Sequence, residues 1–276
     1  MAFYSHSKLS TFEQCKLKYK FRYIDKIVPK IERSIEVHLG DSVHRTLEWL
    51  YIKVKENGKK NIPDLDDVLI NYLETWKENF KPGFVIVKKD LTEKDYLDKG
   101  VRFLIDYYNS NQPFNDNTLE LEKKIIFEID SEKNIKIIGF IDRLVHNLKT
   151  GELEIHDYKT NNTPPRSDHG ETDRQLALYA IAIKEIFGKD KNVSLVWHFL
   201  AHDKRIVSQR TNEQLENLKE ETLKLINEIE STSSFPPNKS PLCNWCQYKD
   251  ICPVWNNTKV NEDRARFFKQ RSLREF

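Results

Sequence analysis

The sequence predicts an α/β fold in which a helical N-terminal half leads into a sheet core. Two observations carry this. Apolar residues recur at helical spacing along the N-terminal part, and from Leu119 onward the period drops to that of strands. A third observation sets the class: 276 residues that include 5 Trp, 11 Tyr and 15 Phe can bury a sizeable core without covalent staples. No apolar run approaches the ~20 residues that cross a bilayer. The opening Met1-Ala2-Phe3-Tyr4-Ser5-His6 has neither the charged nor the apolar stretch of a secretory signal, so a cytoplasmic location without membrane contact is expected.

Ser7 is a suitable helix N-cap, with Leu9, Phe12, Cys15 and Tyr19 behind it. A second helix is expected from about Asp41, with Val43, Leu47, Leu50 and Val54 on one stripe. A third starts near Asp64, where Leu65, Val68, Leu69, Tyr72, Leu73 and Trp76 follow the amphipathic template. A fourth carries Val101, Leu104, Ile105 and Tyr108. Strands are then expected over 119–129, 135–145 and 152–160, with a hairpin connection at Asn147 to Gly151. A helix over about 172–187 and strands over 193–199 and 205–208 follow. A long helix with Leu215, Leu218, Leu225 and Ile229 precedes a Ser/Pro-rich linker at 231–241, a cysteine cluster and a basic tail.

The net charge of +2 neither demands nor forbids a nucleic-acid partner. Local distribution says more. Between Lys16 and Arg33 seven basic residues face two acids, with Tyr19, Phe21 and Tyr23 interleaved; this suits phosphate and base contacts, and equally a solvated face over core tyrosines. No two of the 8 glycines lie closer than twelve positions, which excludes a dinucleotide-binding fingerprint and a phosphate-cradling loop.

The hairpin carries the chemistry. Leu153, Ile155, Asp157 and Lys159 share one strand face, and folding about Lys149 brings Asp142 roughly opposite His156 and Asp157. Two adjacent carboxylates repel unless a cation intervenes, and a hard divalent ion such as Mg²⁺ or Mn²⁺ fits oxygen ligands. Lys159 then stands where it can orient a water or stabilise developing charge. Gln175 and Tyr179, four apart on the next helix, share a face.

Four cysteines, Cys15 and the C-terminal Cys243, Cys246 and Cys252, point to a metal group, either zinc or iron–sulfur, rather than to disulfides. One ligand would arrive from the far end of the chain.

Gly139-Phe140-Ile141-Asp142-Arg143, Asp157-Tyr158-Lys159-Thr160 and Gln175-Leu176-Ala177-Leu178-Tyr179 together resemble the RecB-type exonuclease branch of the PD-(D/E)XK nucleases. Ser7 to Cys15 with Tyr19 and Tyr23 is similar to that family's opening segment, and Leu39-Gly40-Asp41-Ser42-Val43-His44 to its histidine motif. The one-plus-three cysteines resemble the iron–sulfur group within it, which includes AddB-type nuclease domains and the CRISPR-associated adaptation nucleases; Lys16 stands where the family often has Pro.

The resemblance implies a restriction-endonuclease-like core, a central mixed sheet flanked by helices, in one nuclease domain over 1–276. Within it, a helical part over 1–115 would carry Cys15 and His44, a sheet core over 116–210 the active site, and 211–276 the last helix, the cysteines and the tail. It implies His44, Asp142, Asp157 and the Tyr158 carbonyl as metal ligands. Asp142, Asp157 and Lys159 would be catalytic, with Gln175 and Tyr179 in support. It also implies a structural [4Fe-4S] cluster on Cys15, Cys243, Cys246 and Cys252, with Zn²⁺ the alternative. The expected activity is Mg²⁺- or Mn²⁺-dependent exonucleolytic DNA hydrolysis on single-stranded or frayed ends, with a helicase or CRISPR adaptation partner. The competing expectation is a cluster-containing DNA-binding module or helicase-partner subunit without catalysis.

Overall fold

The computed structural model describes residues 2–29, 34–57, 61–80 and 84–256. The basic tail, and Lys30, Glu32 and Arg33 of the basic stretch, lie outside the described residues.

A six-stranded mixed sheet forms the centre: β1 (Ala2–Tyr4), β2 (Thr118–Asp130), β3 (Ile135–His146), β4 (Leu153–Lys159), β5 (Val193–Phe199) and β6 (Lys204–Gln209). Antiparallel β2 lies along one edge of β3. The other edge is shared by parallel β1, at Ile135 to Ile137, and antiparallel β4, at Arg143 to His146. Beyond them run parallel β5 and antiparallel β6.

Helices flank both faces. On one, α1 (His6–Gln14), α7 (Arg174–Phe187) and α8 (Asn212–Ser231) pack over the sheet, burying Leu9, Phe12, Ile137, Ile155, Leu178 and Trp197 together. On the other, α3 (Ile35–Asn57), α4 (Leu65–Asn79) and α5 (Glu93–Asn111) bury Leu39, Leu47, Tyr72, Leu104 and Tyr158. Each such side chain contributes ~1.5–3 kcal/mol when fully buried. The short helices α2 (Lys16–Tyr19) and α6 (His169–Thr172) lie in the connections.

The helix starts follow capping chemistry. Asp64 and Asp67, Thr92 and Asp95, and Thr211 and Gln214 form reciprocal capping boxes at α4, α5 and α8. Three expectations shift. The first cap is Ser5, which accepts the Lys8 N–H at 3.2 Å, not Ser7, because the chain enters from strand β1. Helix α3 starts at Ile35, not near Asp41, since Ile35, His38 and Leu39 prolong its buried stripe. The expected helix over 172–187 is divided at Asp173, which caps α7 through the Leu176 N–H. Leu73, expected on the buried stripe of α4, is exposed. In the basic stretch Tyr19 is buried and Phe21 packs on Tyr248, so these two rings serve packing and not base stacking.

No helix among the described residues is long and apolar enough to cross a membrane.

Candidate active site

The sheet parts at Asp142. The β3–β4 ladder runs from His146 and Leu153 to Arg143 and His156 and stops. This register is one residue on from a fold about Lys149: Arg143 faces His156, and Asp142 lies across from Asp157. Two steps past the last pair, the Tyr158 N–H has left the β3 ladder, and the Asp142 Oδ2 accepts it at 2.8 Å. Asp142 thus closes the fork between strands and holds a carboxylate there.

Tyr179 fills the fork from α7. A Cβ on Gly139 would lie 2.2 Å from the Tyr179 ring, so only glycine admits this contact. Tyr179 also receives an N–H from Gln175 at 3.5 Å, and the Gln175 Oε1 accepts from Lys159 Nζ at 2.9 Å. Lys159 lies 2.7 Å from Asp157. Burial alone would lower its ammonium, but Asp157, with Asp173 and Asp142 beyond, holds it above its ordinary value.

His44 reaches the fork from α3. Gly40, one turn earlier, brings the helix within 3.2 Å of Thr160 Oγ1, measured from a Cβ placed on it. The His44 Nε2–H donates to the Tyr158 carbonyl at 2.7 Å, and Nδ1 lies 3.4 Å from Asp142 Oδ2. Burial pushes the Asp142 carboxyl up to about 7; His44 opposes this and Asp157 reinforces it.

Glu122 completes the group. It lies on β2 across from Asp142, between the pairs Leu121–Arg143 and Lys123–Ile141, with a left-handed φ of 44°. Ligand atoms of His44, Glu122 and Asp142 lie within 4.8 Å of one another, the one such trio among the described residues. Burial raises the Glu122 carboxyl, and His44 works against it. Two crowded carboxyls displaced toward the neutral form, with an imidazole between, make a donor set that a hard divalent cation fits. Asp157 lies outside this trio, paired with Lys159.

Sequence reasoning did not assign Glu122. Strand alternation says nothing of a residue that turns at positive φ, and an acid among lysines and glutamates carries no signal. It also left Arg143 without a role. That guanidinium, 1% exposed, donates to the Tyr158 hydroxyl at 3.0 Å and to His156 Nδ1 at 2.9 Å, and pairs with Asp116. With Nδ1 accepting, the His156 Nε2–H donates to Glu154 at 3.0 Å. Arg143 thereby fixes the ring of the residue whose backbone meets both His44 and Asp142.

Cys15 and the clustered Cys243, Cys246 and Cys252 line one partly open cavity. Backbone N–H groups of Lys18 and Asn238 point at Cys15 Sγ (3.5 and 3.4 Å), and that of Ser240 at Cys243 Sγ (3.4 Å). The Ser240 N–H lowers the Cys243 thiol, whereas burial raises that of Cys246. The sulfurs are not drawn together as tightly as the His44 trio.

The chain is 25% identical over 294 aligned positions to the gene 69 protein of Mycobacterium phage L5, covering 91% of this chain and 96% of the phage protein. Among solved structures, SSO0001 covers 76% of this chain and 97% of its own at 19% identity and a TM-score of 0.33. A provisionally assigned exonuclease from Eubacterium rectale covers 89% and 87% at 11% identity and a TM-score of 0.48. The family model for the PD-(D/E)XK nuclease superfamily matches residues 4–253, from strand β1 through the last cysteine, and the chain belongs to that superfamily.

Proposed function

We propose that the chain is a divalent-metal-dependent DNA nuclease, acting as an exonuclease on single-stranded or frayed ends, with its active site at the Asp142 fork. One observation carries this reading: His44, Glu122, Asp142 and the Tyr158 carbonyl converge from four elements beside the Asp157–Lys159 pair. His44, Glu122, Asp142 and the Tyr158 carbonyl would hold Mg²⁺ or Mn²⁺, with Asp157 the further acid. Such an ion polarises a phosphoryl oxygen and lowers the pKa of a bound water.

The chain's own groups do the rest. Lys159, kept charged by Asp157, places an ammonium beside the reacting phosphate, where charge develops. Gln175 holds the Lys159 amine by accepting from it, and Tyr179 holds Gln175. Asp142 holds the Tyr158 N–H, and His44 the Tyr158 carbonyl, so the backbone on both sides of Tyr158 is fixed.

The cysteine cavity supports a second, structural group. A tetrahedral zinc with bonds of about 2.3 Å needs thiolates about 3.8 Å apart. The four thiols that line the cavity, with N–H donors aimed at two of the sulfurs, are a donor set for a [4Fe-4S] cluster, with zinc the alternative. A helicase or CRISPR adaptation partner remains part of the reading through family resemblance alone.

End-labelled DNA tests the activity. With Mg²⁺ or Mn²⁺ the wild type should shorten single strands, while Asp142→Ala and Lys159→Ala should lose at least a hundredfold in rate with unchanged circular dichroism. Glu122→Gln should raise the metal concentration needed for half-maximal rate. Full activity of Asp142→Ala would remove the site from Asp142. A chain that binds DNA but never cleaves it would instead favour the non-catalytic module.

A further inference from the structure

The face of the sheet that carries Asp142 is only half covered. Helix α3 lies over one end of it, where Leu121 packs beneath the α3–α5 cluster and His44 meets Asp142. On the other side of Asp142 the same face is open. Along β3, Ile135, Ile137 and Ile141 enter the core under α7, so Lys136, Ile138 and Phe140 stand on the opposite side. Phe140 is 51% exposed, two residues from Asp142, about 7 Å along a strand. Directly across on β2 are Lys124, opposite Phe140, and Ile126, opposite Ile138 and 45% exposed. Phe3 of β1, 43% exposed, lies beside Lys136 on the far flank.

Monomer surfaces rarely expose two phenylalanines and an isoleucine on one sheet face, here Phe140 on β3, Ile126 on β2 and Phe3 on β1 around Ile138 and Lys136. The Phe140 end of this patch lies next to the candidate metal ligands, and Lys124 and Lys136 belong to it, with the acid Glu128 opposite Lys136. Flat aromatic and aliphatic side chains with ammonium groups at their edge are what unpaired bases and their phosphates require. A paired duplex hides its base faces and gains nothing from Phe140.

We propose that this open sheet face is a stacking platform for an unpaired nucleic-acid strand, with Phe140 receiving a base next to the cleaved bond and Lys124 its phosphate. The proposal rests on the nuclease reading for its place beside the bond, but the binding itself does not require cleavage.

The test is fluorescence anisotropy of the full chain with a labelled single-stranded oligodeoxynucleotide, in EDTA so that no hydrolysis occurs. The wild type should bind the single strand more tightly than the duplex of the same sequence. Phe140→Ala should raise the single-strand Kd about tenfold, within the range for losing one stacked base, and leave the duplex Kd within about twofold. Phe140→Trp should restore it, a rescue that a merely structural residue would not give. Lys124→Gln should reduce the slope of log Kd against log salt by about 0.7. Equal Kd for wild type and Phe140→Ala overturns the proposal. So does a wild-type dimer in sedimentation velocity that Phe140→Ala dissociates, since the patch would then be a contact between copies. If Phe140 controls strand binding and the chain nevertheless cleaves nothing with any metal, the platform stands and the nuclease reading falls.

Discussion

Asp142 is the residue on which two demands meet. Its carboxylate replaces the missing ladder acceptor for Tyr158, and it sits across from Asp157 with Glu122 on the other strand. Without a cation these demands conflict, which is why burial, with Asp157 adding to it, pushes its carboxyl up to about 7. The consequence is a pH signature. The metal-free folded chain retains a proton on Asp142 that the unfolded chain releases at the ordinary carboxyl pKa. This group's contribution to stability is therefore present below about pH 4, falls as pH rises toward about 7, and is lost above it. In EDTA, the Tm of Asp142→Asn relative to wild type should rise over that window. Added Mg²⁺ near pH 8 should raise the Tm of wild type more than that of Asp142→Asn. A flat difference curve would mean that Asp142 titrates as an ordinary surface acid. His44, Asp142, Asp157 and Lys159 were legible in the sequence because local motifs bring them with their neighbours. Glu122 was not, because its position depends on a backbone turn at φ 44° that no spacing rule encodes.

Among the elements, the fork between β1 and β4 is what positions the proposed site. A continuous ladder would leave neither the Tyr158 N–H for Asp142 nor room for Tyr179. The hairpin and its strands were readable from period and turn residues, and so was the helix start near Asp64. The fork was not readable, since it depends on the short β1 taking the same edge of β3 as β4, a pairing of residues more than a hundred positions apart. The parity of β3 also shifts across it: Ile141 and Leu144, three apart, enter the same core. The contact that holds the fork is Gly139 against Tyr179. Gly139→Ala should destabilise the chain by about 1–3 kcal/mol, the usual cost of overpacking, seen as a lowered midpoint in urea. Tyr179→Leu, which makes room, should return part of that loss in the double variant while its own activity stays low, because Gln175 loses its partner. Additive destabilisation in the double variant would place the strain elsewhere.

At the scale of the molecule, the cysteine cavity links the first helices to the end of the described chain. Cys15 caps α2 through the Lys18 N–H, and the Asn238 N–H reaches the same sulfur across 223 positions. The sequence showed four cysteines in a one-plus-three pattern. It could not show that the short helix Pro241–Trp245 and the turns after it would set Cys243, Cys246 and Cys252 in the wall of one cavity with Cys15. Tyr248 strengthens the junction by packing its ring, tilted, against Phe21 and donating to the Ile27 carbonyl at 3.2 Å. The proposed active site shares no residue with this junction. Losing one thiol should therefore loosen the ends first and the fork last. Cys246→Ser, purified without oxygen, should lose the absorbance near 400 nm expected of an iron–sulfur group in the wild type. Its amide exchange should quicken at residues 6–24 and 240–252 well before it does in β3 and β4, because closure of a loop of more than two hundred residues no longer restrains the ends. Zinc in place of iron would leave the wild type colourless but keep the exchange pattern. Uniform quickening through the sheet would instead make the cysteine group part of the core that holds the Asp142 fork together.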